Sequence, residues 1–481
     1  MRGILSVLHS DTEVLAALES DSAKIIAAPP SYPFLIALKA QQRPILVVTS
    51  SSRSAEDLAE SLRDLHARVY EFPAWETLPH ERLSPRSDTV AQRIATLYSL
   101  QLSDEIHPVV VAPVRAVIHR FIASLATQPL WTLEIGQEIG LTELITHLTE
   151  LAFTRTDLVE KRGEFAVRGG IVDVFLPLAM HPVRIDFFGD EIEELRYFEV
   201  ADQRTSEAVI GKLSILPCRE FLLNDEICAR AEKLKSQYPG ALEIIGKIAD
   251  GITVDGMESL IPLLINDFTT IAQRMPAQTE ILFIDGERIR SRTADLIETN
   301  EEFLEASWSN AAIGASAPLP VEKVTYLSWE ALHEELTTLE LRIGALNPFG
   351  SDLDTDAHFL DIAAIDPMRG NVEALCELLR TGLEAHESVI FSTVGHGMAE
   401  RYAGIFRDAD LPVQMVQSLK ATPTKGSIHI TQSTLGFGFH SEHAGILVVT
   451  ERDLSGSKTT TKDARMPSKR KQAIDPLELR S

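Results

Sequence analysis

Residues 163–205 read GEFAVRGGIVDVFLPLAMHPVRIDFFGDEIEELRYFEVADQRT, and their alternation decides the fold of the middle of the chain. Strands are predicted at 164–168, 171–175, 183–188 and 191–200, separated by a Gly169-Gly170 turn, a proline-containing loop and a Gly189-Asp190 turn. A period of two sorts each strand into faces. Val183, Ile185 and Phe187 share the core side, leaving Arg184, Asp186 and Phe188 outside; on the first strand Phe165 and Val167 go inward, leaving Glu164, Ala166 and Arg168 outside. Asp186 lies between Arg184 and Phe188 on the same side and is expected to orient Arg184. Two readings of this outer face stand. It is a solvated surface with Phe188 tucked under a neighbouring segment, or it is an interface, since arginines and aromatic rings are the usual energetic anchors of protein contacts.

Working outward, 481 residues are too many for one core, and a hydrophobic content of 44% is ample for several. The three cysteines, Cys218, Cys228 and Cys376, are far apart and in no metal-ligand spacing, which fits buried thiols in a reducing, cytoplasmic compartment. No stretch is long and apolar enough to span a membrane, and the expected state is a monomer. A net charge of -25, from 70 acidic and 45 basic residues, opposes binding of a phosphate backbone. The exception is 458–471, where Lys458, Lys462, Arg465, Lys469, Arg470 and Lys471 face only Asp463; this reads as a flexible basic linker.

The first part of the chain alternates short apolar strands, 24–28, 45–49 and 109–111, with helices from Ser54 to Leu65 and over 89–102, the layout of a parallel sheet in a nucleotide hydrolase. The chemistry of such an enzyme is missing. Phosphate binding needs glycines, then a lysine and a hydroxyl, after the first strand, whereas the loop here is Ala27-Ala28-Pro29-Pro30-Ser31-Tyr32-Pro33. Three prolines remove three backbone donors. No acidic pair follows the 109–112 strand, so neither Walker motif is present and no catalytic residue, metal site or cofactor is expected in this chain. Trp75, His80, Glu81 and Asp88 lie in a run broken by Pro73, Pro79 and Pro85 and read as turn residues.

A helix over 141–151, with His147 packed on it, leads into the alternating sheet, and this unit ends near Pro217. The strand–helix pattern resumes at 281–285 and 288–304. Residues 347–359 are acidic and turn-rich and are expected to be a linker. Beyond them Val372, Leu375, Cys376, Leu379 and Leu383 form a helix face beside strands at 389–391, 427–430 and 446–449. Gly395-His396-Gly397 reads as a helix-entry turn. His440 and His443 sit in a loop without a third ligand, which argues against a metal.

The alternating segment resembles the UvrA-binding module of the bacterial transcription-repair coupling factors (Mfd) and of the excision-repair protein UvrB. Residues 72–94 (FPAWETLPHERLSPRSDTVAQRI), 109–120 (VVVAPVRAVIHR) and 473–480 (AIDPLELR) are similar, in that order, to the amino-terminal part of the coupling factors. The resemblance implies an α/β, multi-domain fold. A degenerate P-loop-NTPase-like domain, like the ATPase half of UvrB, would comprise 1–128 and 218–350, with an inserted α+β UvrA-binding domain at 129–217. A small α/β domain without an assigned role would follow at 354–454, then a basic linker over 455–481. It further implies that Arg168, Arg184, Phe188 and Asp186 contact UvrA in nucleotide excision repair. Family members release stalled RNA polymerase through an ATP-driven translocase on double-stranded DNA. ATP, magnesium, RNA polymerase and DNA would therefore engage regions other than these residues. The alternative is a UvrB-type, damage-loading ATPase, which the proline-rich loop opposes.

Overall fold

The computed structural model describes residues 1–456 except 21–23, 79–80, 82, 103, 128–129, 239–240, 313–325 and 351–355. The basic run at 458–471 and His80 therefore lie outside the described residues.

Fully apolar strands need cover on both faces, and the first sheet has it. Seven parallel strands lie in the order Ala357–Phe359, Lys24–Ile26, Arg342–Asn347, Glu280–Ile284, Ile45–Thr49, Val109–Pro113, Val69–Glu71. Alternation divides the central strands between two cores. Ile45, Val47, Val109 and Val111 join Leu35, Leu38 and Leu62 on one side, while Leu46, Val48, Val110 and Ala112 join Val90, Ile94, Ile289 and Leu332 on the other. The sheet takes strands from both flanks of the inserted segment.

Two details differ from the sequence reading. The helix expected from Ser54 begins earlier, at Ser52–Arg63, and is capped by Ser51, whose hydroxyl accepts the Ser54 N–H at 3.2 Å. Residues 347–359 are not all linker, because Ala357–Phe359 pairs in parallel with Lys24–Ile26 as the sheet's edge. Acidic turn residues dominate that segment's composition and hide the short strand.

The inserted segment forms its own six-stranded sheet over a separate core that includes Leu144, Leu148, Phe165, Val172, Ile185 and Leu195. Its exit is anchored by Glu220, which accepts from Trp75 Nε1 at 2.9 Å and from Arg93 Nε at 2.5 Å. Arg93 is fully buried and lies 4.1 Å over the Phe72 ring. A helical cluster around Phe221, Ile227, Ile245 and Leu260 follows and also packs Trp75.

A third sheet, in the order Ala363–Ala364, Phe439–Ser441, Ile446–Thr450, Ser388–Thr393, Ile428–Gln432, Val413–Met415, builds the last α/β unit. Its core is continuous with one face of the first sheet: Ile390, Phe439 and Val448 belong to the cluster of Phe34 and Leu35, and the Phe34 and Phe439 rings meet edge-on at 5.2 Å. Burying each ring contributes about 2–3 kcal/mol.

Candidate protein interface

The inserted sheet runs Thr205–Val209, Glu191–Phe198, Val183–Phe188, Ile171–Val174, Glu164–Arg168, Thr154–Arg155. Its register stacks the outer face in two rows. One row is Ala166, Asp173, Arg184 and Arg196; the next, nearer the Gly189-Asp190 turn, is Arg168, Ile171, Asp186 and Glu194. Phe188, opposite Glu191, lies beyond both. On the core side Ile192 and Leu195 are both fully buried although three residues apart, a spacing that simple alternation forbids. A β-bulge resolves it: Asp186 pairs with Glu194 and Phe187 with Ile192, so Glu193 is the extra residue.

The outer face is not uniformly solvated. At its far end Ala166, Phe175 and Phe198 are buried together with Val159, forming a second small apolar cluster. Ala166, which alternation places among exposed polar residues, is thus covered. Arg184 belongs to this covered end. Its Nε and Nη2 donate to the two carboxylate oxygens of Asp173 at 2.7 and 2.9 Å, and its guanidinium lies 4.9 Å from the Phe198 ring centre. Asp173 is only 4% exposed and the Arg184 side chain 19%. The expectation that Asp186 orients Arg184 is corrected: the hydrogen bonds go to Asp173, directly opposite across the strand pair. The missed signal was the aspartate alternating with Val172 and Val174. Pairing 171–175 with 183–188 in register brings it against Arg184.

The end nearer the turn is open. Phe188 is 76% exposed, held out beside Gly189, which takes a positive φ of 64°. Burial at that size would be worth far more than exposure, so the ring stands uncompensated. Arg168 is exposed, and its Nη2 donates to the Asp157 carbonyl at 2.6 Å. Asp186 is half-buried beside a hollow of about 510 Å³ lined with Gly170, Ile171, Phe187, Glu193 and Glu194. Its carboxyl is pushed up, chiefly by desolvation, with Glu194, Asp173 and Glu193 adding and Arg184 opposing. Arg196 pairs with Glu194 at 2.5 Å. Phe187 points to the core side as expected but is only half-buried, packing on that cluster's margin.

Elsewhere, the loop after Lys24–Ile26 holds Pro29 and Pro30 in a single 3-10 turn that leads into the Tyr32–Lys39 helix. His440 Nε2 lies 2.7 Å from Glu387, and His443 Nδ1 lies 2.7 Å from Asp11, two separate hydrogen-bonded pairs. His147 lies between Glu143 and Glu150 with its ring 4.9 Å from that of Trp131.

Residues 131–221, which contain this sheet, match the family model described as the UvrB interaction domain. The chain is 38% identical, over 94% of its length, to the transcription-repair-coupling factors of Mycobacterium bovis and Mycobacterium tuberculosis. It is 26% identical over 88% of its length to that of Escherichia coli K12. It spans 39% of the length of the mycobacterial relatives and 37% of the E. coli one.

Proposed function

We propose, from the premise that the chain belongs to the transcription-repair coupling factors as their amino-terminal region, that it recruits UvrA through the open end of the inserted sheet. The observation that carries this reading is Phe188, a large ring left in solvent inside the segment that matches the UvrB interaction domain. Phe188 acts as the apolar anchor, with Arg168 and Asp186 on the adjoining row supplying charged contacts. Arg184 contributes its exposed edge and holds the sheet end in shape through Asp173.

In this reading the chain is non-catalytic. RNA polymerase, double-stranded DNA and ATP are handled by other parts of the whole protein, and the sheet of Lys24–Ile26 serves as scaffold. Pro29, Pro30 and Pro33 supply no N–H donors where a triphosphate would need them.

Calorimetric titration of the chain with purified UvrA tests the recruitment. Binding is expected for the wild type and strongly weakened for Phe188→Ala; equal binding by both proteins would refute the site. Titration with Mg-ATP tests the scaffold reading, and saturable binding with hydrolysis would favour a UvrB-type ATPase instead.

A further inference from the structure

The helix Gly3–His9 meets the last α/β unit at the 419–421 loop. The Gly3 N–H donates to the Leu419 carbonyl at 2.9 Å, and a β-carbon on Gly3 would fall 1.9 Å from the Ala421 carbonyl oxygen. Only glycine permits that approach. Its consequence is electrostatic, because Arg2 and Lys420 are chain neighbours of the two contacting residues. The backbone contact draws two cations to the rim of one cleft of about 560 Å³. Neither makes an ion pair among the described residues.

The cleft is lined further by the imidazoles of His9, His66 and His107, while Glu105 is the single carboxylate lining it among the described residues. Such a concentration of cationic and donor groups is against the trend of a chain with net charge -25. His66 senses the same field: burial pushes it below the ordinary histidine range, and Arg2, His107 and Arg68 push the same way against the hydrogen bond to the His107 carbonyl. Holding like charges together opposes folding unless something negative sits between them.

We propose that this cleft binds a small phosphate-bearing anion, bridged by Arg2 from the N-terminal helix and Lys420 from the last unit. Arginine offers a fork matched to two phosphate oxygens and lysine a compact point charge. The volume is that of a small-molecule site. The occupant would neutralise the paired cations and tie the two units together at the place where their backbones touch. The phosphate could come from pyrophosphate or from a nucleotide.

Calorimetry and thermal melting of the chain with pyrophosphate and, separately, with ADP test the proposal. Saturable binding that raises the melting temperature is expected. The double variant Arg2→Ala/Lys420→Ala, both exposed residues, should melt no lower than the wild type without ligand, since it removes like charges, and should bind roughly tenfold more weakly or worse. Lys420→Glu alone should weaken binding as well. Equal affinity for both probes would mean that the phosphates alone are read; tighter ADP binding would make a nucleotide the occupant. No binding of either at millimolar concentration, or binding unchanged in the double variant, would overturn it.

Discussion

Replacing Arg184 with alanine should damage the inserted sheet before it damages any interface. The guanidinium saturates Asp173, whose side chain is 4% exposed, through two bonds of 2.7 and 2.9 Å, and it covers Phe198. Its loss leaves a nearly buried carboxylate unpaired. Removing one partner of a buried pair costs about 3–5 kcal/mol, and since the Arg184 side chain keeps some exposure the lower end, about 3 kcal/mol, applies. Asp173→Ala should cost a similar amount. The double variant should lose less than the sum, with a coupling of about 1–2 kcal/mol. The chain has several cores, so a global melt would blur the effect; amide hydrogen exchange over Ile171–Val174 and Val183–Phe188 reads the opening of this sheet directly. If Arg184→Ala leaves those amides as protected as in the wild type while abolishing UvrA binding, Asp173 does not need its partner and the structural role assigned to the pair is wrong.

Phe188→Ala should leave melting unchanged and cost about 2 kcal/mol of UvrA binding, whereas Phe187→Ala should destabilise the sheet by about 2 kcal/mol, less than a fully buried ring would; calorimetry and exchange on both variants check this, and reversed effects would place the faces the other way round. Asp186→Asn should raise the melting temperature near pH 7.5, since desolvation lifts the folded carboxyl above its ordinary value. The penalty of ionising it is present above that raised value and fades as pH falls through it, so the gain should shrink towards pH 4 in melting curves. His443 is held above the ordinary histidine range by its hydrogen bond to Asp11, with Glu13 and Asp361 adding, so its stabilisation is full below about pH 6.5 and is lost as pH rises through the raised value. His443→Gln should therefore lower the melting temperature at pH 6 and make little difference at pH 9.

Alternation and turn glycines alone placed the strands of residues 164–198 within two residues and put Phe188 outside and Phe187 inside, because a pleated strand with one buried face has no freedom to exchange them. The apolar runs at 45–49 and 109–111, alternating with helices, likewise pointed to a parallel sheet. What no local pattern could decide was which outer residues are covered. Ala166, Arg184 and Phe198 share a face with Phe188, yet only their end packs with Val159 and Phe175, which flank the strands Glu164–Arg168 and Ile171–Val174. The partner of Arg184 depended on register between strands, and the burial of both Ile192 and Leu195 on a bulge at Glu193, each a property of strand pairs. Placing Arg2 and Lys420 on one cleft required two segments over four hundred residues apart to dock through Gly3. Local sequence determines periodicity, but the field and cover around a side chain come from whatever the folded chain brings next to it.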